Sequence, residues 1–377
     1  MPPTPSSCQD EQAWVPLRRE GQHLFAPAVL AGEPVQMLLD TGADGSVFDA
    51  PVATRAGWQA DAAPVPLTGG GDGVAQAWPW SPPPWRAAGL PQSGLAYVFA
   101  LPAGLGGEGI LGTPFFAAQR VHIDYPGSRM RAVSSACVDI AGNVPLRLLG
   151  GKPLVRAEVD GERGWFILDT GLASEAAVVL HAPHVARAGL RARYWPRIAT
   201  PIGQSVGGTV RGELVRLRSA RIGQHELRGA VGALSSMTSG TFAQDLWFEG
   251  EPVIGTLGAA LAARFDLELD YRAGLLGLRP NADFAQVFTG PRSGLVLDCA
   301  EPARACEVTA VQAPSPAHEA GVAAGDRMIA LNGRPVAAIT RDEFWARLHD
   351  TPGTSLSLDL LRAGAPLSVS LTLRDLL

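Results

Sequence analysis

Two segments decide the fold of this chain: VQMLLDTGADGSVF at residues 35–48 and GWFILDTGLASEAA at residues 164–177. Each is an apolar run that reaches Asp-Thr-Gly, with the aspartates at Asp40 and Asp169. At average residue usage a given tripeptide is expected on the order of 0.1 times in a chain of this length. Two copies in similar surroundings therefore indicate an internal duplication.

Further paired landmarks follow in the same order. GILGTPFF at 109–116 is echoed by VIGTLGAA at 253–260, and VHIDYPGSRMRAV at 121–133 by LELDYRAGLLGL at 267–278. Apolar and polar residues alternate with period two in several of these stretches, which is typical of half-buried strands. We therefore expect two similar β lobes, with the extra residues of the second copy in loops.

The pattern changes after Pro280, where short strands alternate with two short helical segments. This change predicts a third unit of different fold. The predicted organisation is an N-terminal arm at 1–19, a first lobe at 20–140, a second lobe at 145–282 and a C-terminal unit at 291–377.

Composition excludes several classes of protein. The 377 residues carry 31 Lys+Arg and 36 Asp+Glu, for a net charge of −5, and the basic residues are scattered arginines with Lys152 as the single lysine. No nucleic-acid partner is expected from this pattern. No apolar run is long enough to predict a membrane span. The first residues lack a signal-peptide pattern, so either the protein stays in the cytoplasm or the numbering begins after a removed signal.

The duplicated Asp-Thr-Gly segments resemble the aspartic peptidases, and LLDTGADGSVF is especially similar to the catalytic loop of the retropepsin-like enzymes. The resemblance covers residues 20–282. It implies a mainly β fold of two pseudo-symmetric lobes, with Asp40 and Asp169 facing each other as a catalytic pair. Two adjacent carboxyl groups share one proton, so one acts as base and the other as acid on a water molecule.

The same resemblance assigns supporting roles around the pair. Thr41 and Thr170 are expected to cross-link the two loops, and Gly42 and Gly171 to permit their close approach. Behind each loop we expect a short apolar segment that ends in glycine. Its members are Ile110 and Gly112 in the first copy, and Ile254 and Gly255 in the second.

Substrate contacts are expected from the residues after each Asp-Thr-Gly and from two glycine-rich hairpin tips above the cleft. The loop candidates are Ala43, Asp44 and Leu172, and the hairpin candidates are Gly70, Gly71, Gly207 and Gly208. Ala173 stands where the first copy has Asp44, so we expect an asymmetric cleft. Ser205 lies in a G-x-S-x-G match, but the following residues alternate like a strand, which favours a hairpin tip over a nucleophile.

Four cysteines allow three pairings. Cys299 and Cys306 flank a Pro-containing turn and are predicted to bond, which leaves Cys8 with Cys137. Two disulfides indicate the periplasm or a secreted protein, whereas four free thiols would indicate the cytoplasm. No metal site is expected, because no histidine has ligand spacing beside a cysteine, and His181 and His184 are predicted to lie in a surface loop.

The run SPAHEAGVAAGDRMIALNGRPV at 315–336 resembles the core of PDZ domains attached to bacterial periplasmic proteases. The resemblance implies a peptide groove in which backbone amides capture a terminal carboxylate. Its expected members are Gly294, Leu295, Val296 and Leu297 on one wall, and Phe344 and Leu348 on the other. The chain's own end, Leu376-Leu377, has the apolar character that suits the groove of a neighbouring molecule.

Together these patterns predict an aspartic endopeptidase that acts as a monomer on polypeptides, without a cofactor, and whose PDZ domain recruits substrate or regulates access. The alternative is an inactive protease fold that presents the PDZ groove as a peptide-binding scaffold. Hydrolysis separates the two.

Overall fold

The computed structural model describes residues 13–102, 105–133, 143–299 and 305–377. The predicted Cys8–Cys137 pair lies outside these ranges. Within them the protein is mainly β, with sheets of sixteen, ten and six strands. This architecture agrees with the mainly β fold expected from the sequence.

The first lobe consists mainly of short strands. They are Val15–Pro16, Arg18–Glu20, His23–Leu30, Glu33–Leu39, Val47–Asp49, Val65–Thr68, Val74–Trp80, Trp85–Ala87, Leu90–Gln92, Ala96–Phe99, Gly109–Leu111, Arg120–Asp124 and Arg129–Val133, with helices Ala50–Arg55 and Thr113–Ala118.

The second lobe repeats this order with longer loops. Its strands are Asn143–Leu149, Lys152–Val159, Glu162–Leu168, Val178–Leu180, Ile198–Ser205, Gly208–Arg216, Ser219–Ile222, His225–Arg228, Val231–Ser235, Trp247–Phe248, Glu251–Leu257, Phe265–Asp270 and Leu275–Pro280; its helices are Ala182–Arg187 and Ala259–Ala262, with 3-10 turns at Leu190–Ala192 and Thr241–Ala243.

The hairpin that leads to each aspartate is the same in the two lobes. His23–Leu30 pairs with Glu33–Leu39, and Lys152–Val159 pairs with Glu162–Leu168, with the same spacing along the chain as the two aspartates. Both hairpins turn through two residues of positive φ, Ala31-Gly32 and Asp160-Gly161. Such two-residue turns match the natural twist of paired strands, so they set the register that delivers both aspartates.

The two lobes share one sheet. Arg120–Asp124 of the first lobe pairs antiparallel with Phe265–Asp270 of the second, so that the strands leading to the two Asp-Tyr copies lie side by side and run in opposite directions. Val121, Ile123 and the facing Leu267 and Leu269 are fully buried in a core that spans both lobes. The lobes are therefore joined by continuous apolar packing, which holds the cleft between them in a fixed shape.

The C-terminal unit has its own sheet and its own buried core. Its strands are Leu295–Asp298, Cys306–Val311, Arg327–Leu331, Arg334–Pro335, Ser355–Arg362 and Ala365–Thr372; its helices are Pro316–Glu319 and Arg341–Leu348, with a 3-10 turn at Val336–Ala338. Thr340 caps the longer helix, since its side chain accepts from the Glu343 amide at 3.3 Å.

Candidate active site

The aspartates emerge at equivalent strand ends. The amide of Asp40 donates to the carbonyl of Leu111 at 3.1 Å, and the amide of Asp169 donates to that of Leu257 at 2.9 Å. In each lobe the accepting strand lies parallel to the strand that ends at the aspartate. Both carboxyl groups are thus presented at the same place in their lobes, where the two lobes meet.

This register corrects one correspondence drawn from the sequence. Because Leu111 matches Leu257, the counterpart of Gly112 is Gly258 and not Gly255. A Cβ on Gly112 would lie 2.7 Å from the Ala43 carbonyl oxygen, and one on Gly258 would lie 2.8 Å from that of Leu172. Gly112 and Gly258 therefore pack against the two Asp-Thr-Gly loops, whereas Gly255 packs against a carbonyl of a neighbouring strand.

Two threonines tie the loops together across the lobe boundary. The hydroxyl of Thr41 donates to the carbonyl of Leu168 at 2.6 Å and accepts from the Thr170 amide at 3.0 Å. The hydroxyl of Thr170 donates to the carbonyl of Leu39 at 2.7 Å and accepts from the Thr41 amide at 3.1 Å. Both threonines are buried. All four bonds cross between the lobes, so they fix the distance between the two loops.

The glycines of the two loops lie against the opposite carboxyl groups. A Cβ on Gly42 would lie 2.4 Å from the Cγ of Asp169, and a Cβ on Gly171 would lie 2.4 Å from the Cγ of Asp40. Real Cβ atoms essentially never show contacts this short. The absence of a side chain at both positions is therefore a condition for the two carboxyl groups to approach each other.

The two carboxyl groups differ in the amides that they receive. Asp40 accepts one loop amide, from Gly42 at 2.8 Å. Asp169 accepts two, from Gly171 at 3.0 Å and from Leu172 at 2.9 Å. Amides stabilise the charged form of a carboxyl group. The second amide makes Asp169 the better site for the negative charge.

Burial and the adjacent Asp169 raise the pKa of Asp40 well above its usual range. Burial also raises the pKa of Asp169, while the Leu172 and Gly171 amides and the charge of Lys152 act in the opposite direction. The two carboxyl groups therefore titrate as a coupled pair, and the additional amide on Asp169 favours the charge on that residue.

A cavity of about 1310 Å³ surrounds the pair. Among the residues expected to contact substrate, it is lined by Ala43, Asp44, Leu172, Gly70 and Ile110. Ile254 is fully buried in the core instead, because the corrected register puts Thr256 in the position of Ile110, and Thr256 does line the cavity.

The glycine-rich segments form hairpin tips above the cleft, as predicted, and the tips bond to each other. The amide of Gly71 donates to the Val206 carbonyl at 3.1 Å, and that of Gly73 donates to the Gly207 carbonyl at 2.8 Å. Gly71, Gly207 and Gly208 therefore lie at or beside the junction between the tips rather than in the cavity lining. Ser205 lies on the second hairpin, where its hydroxyl accepts from the Gly70 amide at 2.9 Å.

Sequence reasoning missed two residues that reach across the cleft. Nε2 of His23 donates to the Gly171 carbonyl at 2.9 Å, and Nζ of Lys152 lies 3.4 Å from a carboxylate oxygen of Asp44. His23 and Lys152 begin equivalent strands and have the same spacing along the chain as the two aspartates. Each of them precedes its aspartate by the same number of residues, and this equal distance is the sequence signal that identifies them as a pair.

The histidines expected in a surface loop are buried instead. His181 packs against Phe242, and its Nε2 lies 2.9 Å from the hydroxyl of Thr256. Burial lowers the pKa of His181 to about 3, so it is neutral. His184 lies beside Glu162 at 3.0 Å. Among the described residues no group of three or more His, Cys, Asp or Glu side chains is placed to hold a metal ion.

In the C-terminal unit, Cys299 and Cys306 form the predicted disulfide. Val296, Leu297 and Phe344 line the large cavity; the other expected groove residues, Gly294, Leu295 and Leu348, lie outside its lining. Gly294 has φ +79°, and a Cβ there would lie 2.1 Å from the hydroxyl of Ser315. Leu376 and Leu377 pack against an apolar cluster of the second lobe, which corrects the expectation that they suit a neighbouring groove.

Comparisons with known proteins agree with this architecture. The family model described as aspartyl protease matches residues 26–115 and 155–260, which together make more than half of the chain, and a PDZ domain model matches residues 307–373. The crystal structure of an aspartic proteinase from Irpex lacteus superposes with a TM-score of 0.50 at 13% identity, covering 73% of this chain and 99% of that one. This likeness shows the fold.

Curated relatives match over shorter stretches. The periplasmic pH-dependent serine endoprotease DegQ of Escherichia coli (strain K12) is 33% identical over 43% of this chain and 30% of its own length. The regulator of sigma-E protease RseP of the same organism is 41% identical over 16% of this chain and 13% of its own length. The chain thus spans less than a third of each of these relatives. On the two family-model matches, this chain belongs to the aspartyl protease family, with two copies of the family's domain followed by a PDZ domain.

Proposed function

We propose that this protein is an aspartic endopeptidase in which Asp40 and Asp169 activate a water molecule against a peptide bond. The observation that carries this proposal is the mutual placement of the two carboxyl groups. Each lies against the glycine of the other loop, and four bonds from two threonines hold the loops together. A buried pair of acidic residues is costly unless its proton is shared, and that sharing is what general acid–base catalysis uses.

The asymmetry of the pair assigns the roles. Asp169, which accepts two amides, takes a proton from the water, while Asp40 donates its proton to the carbonyl oxygen of the substrate. The water oxygen bonds to the carbonyl carbon and gives a tetrahedral diol. Asp169 then transfers its proton to the amide nitrogen while Asp40 takes a proton from one diol hydroxyl. The C–N bond breaks as the carbonyl re-forms, which releases a carboxylic acid and an amine and restores both aspartates to their starting states. The bonded hairpin tips limit the entry of bulk water.

Both aspartates come from one chain, so the active unit is a monomer. The Cys299–Cys306 disulfide supports an oxidising compartment, and the periplasmic relative DegQ points the same way. No helix among the described residues is long and apolar enough to cross a membrane. The PDZ domain supports peptide binding, either to recruit substrate or to regulate access to the cleft.

The test is hydrolysis of a mixed peptide library, read by mass spectrometry. Asp40→Asn and Asp169→Asn should each lower turnover by about 10²- to 10⁴-fold or more, because each removes half of the proton-sharing pair. Asp61→Asn is the matched control, since Asp61 is exposed and lies outside the cavity lining. Full turnover by either dyad variant contradicts the proposal. An unmodified library in every sample favours the scaffold alternative.

A further inference from the structure

The catalytic cavity does not end at the protease lobes. Its lining continues from Asp40 and Asp169 onto the PDZ domain, where it includes these residues: Val296, Leu297, Asp298 and Cys299 on one side, and Ile339, Thr340, Arg341, Phe344 and Trp345 on the other. Part of the peptide groove and the whole catalytic pair therefore share one space.

Contacts at three places fix the PDZ domain over the cleft. The Gly21 amide donates to the Asp342 carboxylate at 3.0 Å, and Nε2 of His349 lies 2.7 Å from the carboxylate of Glu175. Glu175 lies shortly after the second Asp-Thr-Gly, so this bond joins the PDZ helix to the catalytic loop. On the second lobe, Gln312 donates to the Ala199 carbonyl.

The sheet of the PDZ domain offers an open strand. Leu295–Asp298 pairs with Cys306–Val311 on one side and, within the described residues, ends the sheet on the other. An extended peptide adds to such an edge through main-chain bonds. The side chains of Leu295 and Leu297 are half-buried against the core of the domain, which gives the added strand an apolar floor.

The two ends of the edge strand Leu295–Asp298 differ in their distance from the cleft, and this difference determines where each end of a bound peptide lies. A peptide that runs antiparallel to Leu295–Asp298 with its carboxylate near Gly294 has its preceding residues beside Asp298 and Cys299. Those two residues line the catalytic cavity, and Gly294 and Leu295 do not. The helical wall has the same direction: the N-cap Thr340 and the helix residues Arg341, Phe344 and Trp345 line the cavity, and Leu348 at the end of the helix does not.

Building on the proposed proteolysis, we propose that the PDZ groove holds the free C-terminal segment of the substrate polypeptide and directs the residues before it into the cleft. Cleavage then falls at a set distance from the carboxy terminus. The occupant is a foreign chain that ends in apolar residues, since this protein's own Leu376 and Leu377 are packed on the second lobe. The Leu295 amide donates to the Ser293 hydroxyl at 3.2 Å, a local partner that a carboxylate replaces.

The first experiment uses peptides with one scissile bond, chosen from the library, followed by spacers of about 4 to about 16 residues and ending in Leu-Leu. At about 3.3 Å per extended residue, the longest spacer reaches about 50 Å. Each peptide is made as the free acid and as the amide. We expect an optimum spacer, and at that length about a tenfold kcat/KM advantage for the free acid, which corresponds to about 1.4 kcal/mol. The advantage is expected because hydrogen bonds to a charged group are stronger than those to a neutral one.

Two neighbouring alanines supply a matched pair of variants. Ala337 and Ala338 are both exposed on the same 3-10 turn, but Ala337 lines the cavity and Ala338 does not. Ala337→Trp should abolish the preference for the free acid, and Ala338→Trp should retain it. Equal cleavage of acid and amide at every spacer length overturns this inference while the proposed proteolysis stands.

A second readout does not depend on turnover. Leu-Leu peptides that carry benzoylphenylalanine at each spacing in the series, from about 4 to about 16 residues before the carboxy terminus, are cross-linked to the Asp40→Asn variant, and the attachment sites are mapped. Cross-links to the hairpin tips or the catalytic loops support the arrangement even if no peptide is hydrolysed. Cross-links confined to surfaces outside the cavity, or identical cross-links from the amidated peptide, overturn it.

Discussion

The two Asp-Thr-Gly loops, 40–46 and 169–175, begin with the same three residues and end in different surroundings. Within Asp-Thr-Gly, the threonine bonds and the glycine contacts are nearly the same in both lobes. Beyond it, Asp44 meets Lys152 of the other lobe, whereas Glu175 meets His349 of the PDZ domain. The shared part positions the carboxyl groups, and the part that differs sets their charge and their neighbours.

The largest expected effect concerns the shared glycines. Gly42→Ala and Gly171→Ala each place a Cβ against the opposite carboxyl group, so the pair has to separate. We expect both variants to lose peptide cleavage by about 10²-fold or more and to lose about 1–3 kcal/mol of unfolding free energy. Turnover assays and urea denaturation measure the two effects.

Gly203→Ala is the control for these variants, because Gly203 lies on the second hairpin without a positive φ and in space that is open to an added Cβ. It should unfold like the parent in urea, and since Gly203 lines the cavity it serves as the control for stability only. If one glycine tolerates alanine and the other does not, the two loops are not equivalent within Asp-Thr-Gly, because the two carboxyl groups are then not placed symmetrically.

A smaller effect is expected from the threonine cross-links. Thr41→Val and Thr170→Val each keep the shape of the side chain but leave a buried amide and a buried carbonyl without their partner. Each should lower the free energy of unfolding by about 1–3 kcal/mol, and by similar amounts in the two lobes. Thr54→Val, whose hydroxyl bonds to Ala50 on an exposed helix, should change it by less than about 0.5 kcal/mol. Unequal losses from the two buried threonines would show that one lobe contributes more to the junction.

Much of this arrangement could be predicted from the sequence because the constant spacing between the two copies of a duplication identifies equivalent residues. The spacing between the two Asp-Thr-Gly copies placed both aspartates, threonines and glycines in equivalent positions, and alternation predicted the hairpin tips. This spacing no longer identified equivalent residues beyond the positions where the second copy has extra residues. Matching Gly255 to Gly112 by letter similarity was wrong, since pairing register, which depends on hydrogen bonds between distant strands, assigns Gly258.

The relation between the PDZ groove and the cleft was beyond sequence reasoning for a different reason. It rests on contacts between units that fold around separate cores, such as Glu175 with His349 and Gly21 with Asp342. Each of these two contacts is a single polar bond, and no periodic pattern in the sequence marks it. His181 was misplaced for a related reason, because a polar residue is buried when a specific partner, here Thr256, is brought to it by the fold.

The smallest expected effect tests the charge difference between the loops. Lys152 and His23 occupy equivalent positions, yet the charge of Lys152 lowers the pKa of both aspartates, whereas burial lowers the pKa of His23 and favours its neutral form. In the proposed mechanism, activity requires a charged Asp169 and a protonated Asp40. The rising limb of the pH profile therefore follows the pKa of Asp169, and the falling limb follows that of Asp40.

Lys152→Met removes the positive charge, so both pKa values rise and both limbs of the kcat/KM profile move to higher pH. Lys152→Arg keeps the charge and should return the limbs towards their original positions. His23→Gln removes a neutral side chain that bonds to the Gly171 carbonyl, so it should lower the rate without moving either limb. If Lys152→Met left the limbs in place or moved them to lower pH, the cation would have no part in setting the proton affinity of the pair. The difference between the loops would then come from their amides alone.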